Sequence, residues 1–216
     1  MPVTKFHQKQ ETIYQRDQYA KGGLGRWHWD RRDQTALALV RPSDTTIVDI
    51  GCGEGIALEK MHRLFPERHV MGIDNLTENI DICKKHGCNA ETGDVYNLPL
   101  PSNSVDFVLF MEVIEHLEHP ETAIWEIRRI LAPNGRLVIG FPNDAVFKIA
   151  RILTLRFREA AYDPGHVRQW TPHDMRVLLN RHGFITVFSQ NTPFHIWQFS
   201  LQCIMAAEKD DQNIVH

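Results

Sequence analysis

The chain has 216 residues, of which 43% are hydrophobic and 24% charged, and its formal net charge is -3. That length suits one α/β domain with some decoration and a sizeable buried core, and the composition is that of an ordinary globular chain. A balance so close to neutral excludes a global attraction to nucleic acid or to an anionic membrane, leaving only local patches to act.

Residues 1–30 are polar and aromatic, with Tyr14, Tyr19, Trp27, His28 and Trp29 around a Gly22-Gly23-x-Gly25 stretch that reads as flexible. Arg31 to Val40 reads as a helix stopped by Pro42. Thr46 to Ile50 is β-branched and mostly apolar, the pattern of a central parallel strand covered on both faces. It runs into Gly51, Gly53 and Gly55, where the chain must turn sharply and bring bare backbone close to a ligand. From Ala57 helical spacing resumes, so a helix N-terminus offers N–H groups to whatever lies over the glycines.

A second strand, Val70 to Ile73, ends in Asp74, the place where a doubly wound sheet holds a ribose hydroxyl pair. Glycine turn plus spaced acid indicates an adenosine-type ligand. The dinucleotide fingerprint wants a small residue at position 56, and Ile56 stands there. A carboxylate at Asp49 also repels phosphate but can pair with an ammonium group or orient the loop.

Further on, Asn75 to His86 reads as a helix stopped at Gly87, Asn89 to Glu91 as a third strand, and Val105 to Met111 as a fourth. After it, Glu112, Glu115 and His116 would share one face if the chain turns into helix, two carboxylates and an imidazole able to hold a divalent metal or act as general base. His166, in Asp163-Pro164-Gly165-His166, could complete the set. Ala123 to Leu131 reads as helix and Arg136 to Phe141 as the fifth strand, which places Asn143 at the ligand edge of the sheet as a substrate contact.

Between positions 144 and 166 lies an insertion whose residues 146–158 carry four basic side chains and no acid, on an otherwise apolar segment. Such a segment lies at a membrane interface, covers an apolar substrate, or simply packs on the sheet with its arginines solvated. Thr171-Pro172 starts another helix, running to Asn180. Phe184 to Ser189 and Gln198 to Ala207 read as the last two strands, and residues 208–216 as a loose tail.

Cys52, Cys83, Cys88 and Cys203 form no zinc-type pair of CxxC motifs, and a disulfide at Cys52 would distort the glycine turn. Reduced thiols, the lack of a signal-peptide core and the lack of any membrane-length apolar stretch lead to the expectation of a cytoplasmic protein.

Taken together, Asp49-x-Gly51-Cys52-Gly53-x-Gly55, Gly72-Ile73-Asp74, Gly93-Asp94-Val95 and Val105-Asp106-Phe107-Val108 resemble the class I S-adenosylmethionine-dependent methyltransferases, over about residues 45–184. The resemblance implies a Rossmann-like seven-stranded, mostly parallel sheet with helices on both faces and antiparallel pairing at one edge. It assigns cofactor contacts to Asp49, Gly51, Cys52, Gly53, Asp74, Asn75, Asp94, Val95 and Met111, with Asp94 on the adenine amino group unless it is an ordinary turn aspartate.

It also implies an N-terminal segment (1–30) that closes over cofactor and substrate, ahead of a methyltransferase domain at 31–207. Tyr14 and Trp29 would then meet substrate, although the rings could equally pack against the body. The Glu112/Glu115/His116 pattern with a downstream histidine is similar to the metal set of small-RNA 2′-O-methyltransferases and to the matching region of the ubiquinone-pathway O-methyltransferases. In the latter an insertion at the same place is associated with membrane contact. The leading expectation is methyl transfer to a hydroxyl of a small or lipid-linked molecule. RNA 2′-O-methylation and a non-catalytic cofactor-binding protein are the alternatives.

Overall fold

A computed structural model describes residues 15–143, 146 and 167–210. Tyr14, His166, the rest of the basic insertion and the last six residues of the tail lie outside the described residues.

The chain order is α1 (Gln15–Ala20), α2 (Gly23–Leu37), β1 (Thr46–Ile50), α3 (Ile56–Leu64), β2 (His69–Asp74), α4 (Thr77–Lys85), β3 (Ala90–Thr92) and β4 (Val105–Met111). A short 3-10 turn at Ile114–His116 leads to α5 (Pro120–Ile130), β5 (Leu131–Pro142), α6 (Pro172–Arg181), β6 (Phe184–Thr192), a second 3-10 turn at Trp197–Phe199 and β7 (Gln202–Lys209). The seven strands form one sheet in the order β3-β2-β1-β4-β5-β7-β6. β1 pairs in parallel with β2 and β4, β2 with β3, and β4 with β5. The antiparallel pairing falls at one edge, where β7 lies between β5 and the edge strand β6. Strand order reverses between β1 and β4, and an open α/β sheet binds ligands beyond the carboxyl ends of the strands at such a switch point.

Alternation along the buried strands divides the core in two. Val48, Ile50, Val108 and Phe110 face α5 and α6 through Ile124, Ile127, Met175 and Leu179. Ile47, Phe107 and Leu109 face α2, α3 and α4 through Ala36, Leu37, Leu58, Met61, Ile80 and Cys83. Asp49 shares parity with Ile47 and therefore points to the α2 side. α6 begins as its residues dictate: Thr171 accepts the Asp174 N–H at 3.2 Å and Pro172 takes the first helical position.

Three expectations are corrected. Helix α2 begins at Gly23 rather than Arg31, so Gly23 and Gly25 of the glycine-rich stretch are helical and Gly22 is the N-cap. Tertiary contacts overrule the low propensity of glycine here: Tyr19 donates to Asp30, and Lys60 on α3 donates to Asp30 and Asp33 at 2.7 Å each. β7 starts at Gln202 because Trp197–Phe199 forms a 3-10 turn, and it continues through Lys209, two residues into the stretch read as loose. Those two residues are held by the ladder and by Arg136, which donates to Glu208 at 2.5 Å.

Candidate active site

The glycine turn is tied to the end of β2, since Ile73 O accepts both the Gly51 N–H at 2.7 Å and the Cys52 N–H at 3.1 Å. Gly51, Gly53 and Gly55 all have positive φ, at 74°, 53° and 80°, a region that side chains disfavour. Space forbids side chains there as well. A Cβ on Gly51 would collide with Val113, and one on Gly55 would lie 2.8 Å from Cys83 Sγ. Cys52 is buried in the turn and all four cysteines are free thiols. Gly55 opens α3, whose first turn points across the ends of β1 and β2.

Asp74, the last residue of β2, is buried, and its carboxylate joins three segments. Oδ2 accepts the Gly53 N–H at 2.8 Å, while Oδ1 accepts Leu76 N–H at 2.9 Å and Asn79 Nδ2 at 3.1 Å. A carboxylate has about four acceptor positions, so one on Oδ2 remains for a ligand hydroxyl. Asn75 is exposed directly beyond it. Asp94 is exposed, and its Oδ1 accepts the Tyr96 N–H at 2.9 Å in an Asx turn. The same turn is joined to β2 by Gly93 N–H donating to Asp74 O at 2.9 Å. Val95 is half-buried against the core, and Met111 is buried at the end of β4.

Behind the turn sits a charge cluster that the sequence did not disclose. Asp33 Oδ1 accepts from Arg32 Nε at 2.9 Å and Asp33 Oδ2 from Lys60 Nζ at 2.7 Å. Burial, with the neighbouring Asp33 charge adding to it and Arg32 opposing it, pushes the Asp49 carboxyl up to about 8. Burial works against the Arg32 charge, yet Asp33, Glu112 and Asp49 outweigh it and hold the guanidinium protonated. His28, one helical turn earlier on α2, is driven down to about 4 by burial and by Arg32, and stands neutral at pH 7. No local pattern marks this set, because the pairing depends on α2 crossing α3 and β1.

Beyond β4 the one-face arrangement of Glu112, Glu115 and His116 does not form. Glu112 turns the chain at φ 58°, a left-handed conformation uncommon for a residue with a side chain, and only Ile114–His116 is helical. Glu115 is consequently buried while His116 is 44% exposed, with its Nε2 4.0 Å from Glu115 Oε1. The Glu115 carbonyl accepts the Val167 N–H at 2.8 Å, returning the chain to this point after the insertion. Among the described residues no three of His, Cys, Asp and Glu converge to hold a metal ion. The expected quartet therefore finds no support from Glu112, Glu115 and His116.

Asn143 is buried and its Nδ2 donates to Trp197 O at 2.8 Å, so the amide ties β5 to the loop before β7. Trp29 stacks on Tyr19 across the α1–α2 pair with ring centroids 5.9 Å apart.

Residues 48–139 match the methyltransferase domain family, over the stretch that contains most of β1, the glycine turn, Asp74, Asp94 and most of β5. Residues 48–139 are a methyltransferase domain. A probable S-adenosylmethionine-dependent methyltransferase of Mycobacterium tuberculosis is 27% identical over 164 residues, covering 74% of this chain and 57% of that protein. A ubiquinone biosynthesis O-methyltransferase of Cereibacter sphaeroides is 29% identical over 167 residues, covering 72% of this chain and 67% of that protein. A solved S-adenosylmethionine-dependent methyltransferase of Archaeoglobus fulgidus superposes with a TM-score of 0.69 at 17% identity, covering 91% of this chain and all of that one, and shares the fold. The chain spans 31% to 59% of the length of the first five curated relatives that it matches.

The site fits the cofactor of this domain family. Asp74, Asp94 and Glu112 make the strand ends acidic, which suits a ligand bearing a sulfonium and an ammonium and opposes a pyrophosphate. The remaining acceptor on Asp74 suits a ribose hydroxyl. The exposed carboxylate of Asp94 suits an amino-group donor.

Proposed function

We propose that the methyltransferase transfers the cofactor's methyl group to a hydroxyl oxygen, the acceptor being a molecule with an apolar tail. The observation that carries the oxygen acceptor is the imidazole of His116, standing exposed beside the Glu115 carboxylate at the end of β4. Displacement at a sulfonium methyl needs mainly in-line positioning, but a hydroxyl must also lose its proton, and an imidazole next to a carboxylate is suited to take it. When bound, S-adenosylmethionine supplies the electrophilic methyl group. Asp74 and the glycine turn hold the nucleoside end, and His116 removes the acceptor's proton. The similarity to a ubiquinone biosynthesis O-methyltransferase supports the same reading.

The apolar tail is supported by the rim of the site. Between Phe184 and Ala207 there is no Asp, Glu, Lys or Arg. Within that run Phe194, Ile196 and Phe199 are 59%, 58% and 65% exposed, on the loop that Asn143 anchors to the ligand edge of the sheet. Exposed aromatic and aliphatic side chains clustered at the mouth of a site mark an apolar partner. No helix among the described residues is long and apolar enough to cross a membrane.

The test is to incubate the purified protein and S-adenosylmethionine with phenolic acceptors with and without an isoprenoid tail, following S-adenosylhomocysteine and methylated product by mass spectrometry. Turnover of the tailed phenol, and less or none of its tail-less counterpart, is the expected result. Methylation confined to amines would overturn the oxygen assignment, and equal turnover of both phenols would overturn the tail.

A further inference from the structure

Glu54, between Gly53 and Gly55, is 4% exposed, yet neither the sheet nor α3 uses its carboxylate. Both oxygens go to α1. Oε1 accepts the Gln15 N–H at 2.9 Å and Oε2 the Arg16 N–H at 2.8 Å, while the Glu54 carbonyl accepts Arg16 Nε at 2.9 Å. Arg16 also pairs with Glu59 on α3 at 2.7 Å. The first turn of α1 is thereby clamped to the glycine turn from a point 38 residues away in sequence.

The clamp determines where the Gln15 side chain goes. Its carboxamide lies against the bare α-carbon of Gly53, with Nε2 3.0 Å from the place a Cβ would occupy. Gly53 is the residue whose N–H is held by Asp74, so the Gln15 amide stands beside the carboxylate that has an acceptor left for ribose. Nε2 has no hydrogen-bond partner among the described residues. The cofactor brings an α-carboxylate towards a turn where Asp74 and Glu54 already accept the Gly53, Gln15 and Arg16 N–H groups, so it calls for a further donor. A neutral amide at the glycine turn supplies one without adding to the buried charge.

We propose that Gln15 contacts the methionine end of the cofactor, donating from Nε2 to its carboxylate, and that Glu54 is the positioning residue that brings Gln15 there. The proposal rests on the methyltransferase reading above and extends the cofactor site to a helix outside the matched domain.

The test compares two probes by titration calorimetry: S-adenosylhomocysteine, which has the methionine carboxylate, and 5′-methylthioadenosine, which lacks it. Gln15→Ala is expected to weaken S-adenosylhomocysteine roughly tenfold, the worth of a charge-assisted hydrogen bond, and to leave 5′-methylthioadenosine unchanged. Glu54→Ala is expected to show the same selectivity, together with faster tryptic cleavage after Arg16. Equal weakening of both probes, or of neither, by Gln15→Ala in a protein with unchanged thermal melting would overturn the proposal. A wild-type protein that binds neither probe would overturn the methyltransferase reading itself, and this proposal with it.

Discussion

Asp74 Oδ2 accepts the Gly53 N–H at 2.8 Å, so a single carboxylate braces the glycine turn and keeps an acceptor position for a ligand hydroxyl. Replacing it removes the brace and the ligand bond together. Asp74→Ala should weaken S-adenosylmethionine by at least roughly tenfold, measured by calorimetry. An unchanged affinity would remove Asp74 from the site.

Asp49 gives a pH signature. Its carboxyl is near 8 in the folded protein and about 3.9 in an unfolded chain. Between those values the folded state holds a proton that the unfolded state has released, so this group's contribution to stability falls as pH rises from about 4 to about 8. His28, lowered to about 4, acts in the opposite sense, and its contribution is lost as pH falls from about 6.5 towards 4. Binding a cationic cofactor at pH 7 should expel the Asp49 proton. The binding enthalpy should then vary with the ionisation enthalpy of the buffer, and Asp49→Asn should abolish that variation.

Asp33 is 2% exposed between Arg32 and Lys60. Removing one member of a buried charge set leaves the others uncompensated, at a cost of about 3 kcal/mol. Asp33→Ala should lower the unfolding free energy by that order in urea titrations, whereas Asp17→Ala on the exposed side of α1 should change it little.

His116 is the residue through which chemistry and binding should separate. His116→Ala should lower kcat by roughly a hundredfold or more while leaving cofactor affinity intact, as expected for loss of a general base. Excess chelator in the same assay tests the metal expected of the Glu/His set. Full activity in chelator, with the loss in His116→Ala retained, leaves the imidazole as base. Abolition by chelator and recovery on adding a divalent ion would make His116 a ligand.

Much of the sheet could be read from the chain because its signals are local. The apolar run Thr46–Ile50, the glycines that need positive φ, and Asp74 at the end of an apolar strand each carry their meaning within a few residues. The bounds of β4 and the Thr171-Pro172 start of α6 follow for the same reason. Tertiary structure alone decided the rest. Helix α2 reaches back to Gly23 because Lys60 and Tyr19 hold Asp30, and Trp29 turns inward onto Tyr19 in the same hairpin. Glu115 is buried and His116 exposed, and Glu112, Glu115 and His116 share no helical face, because Glu112 leaves β4 in a left-handed conformation. The same holds for Glu54, which reads as a spacer between glycines and becomes a clamp only when α1 lies over it. Short-range patterning dictates the elements, but the partner of a buried charge lies tens of residues away, and only the packing of helices on the sheet selects it.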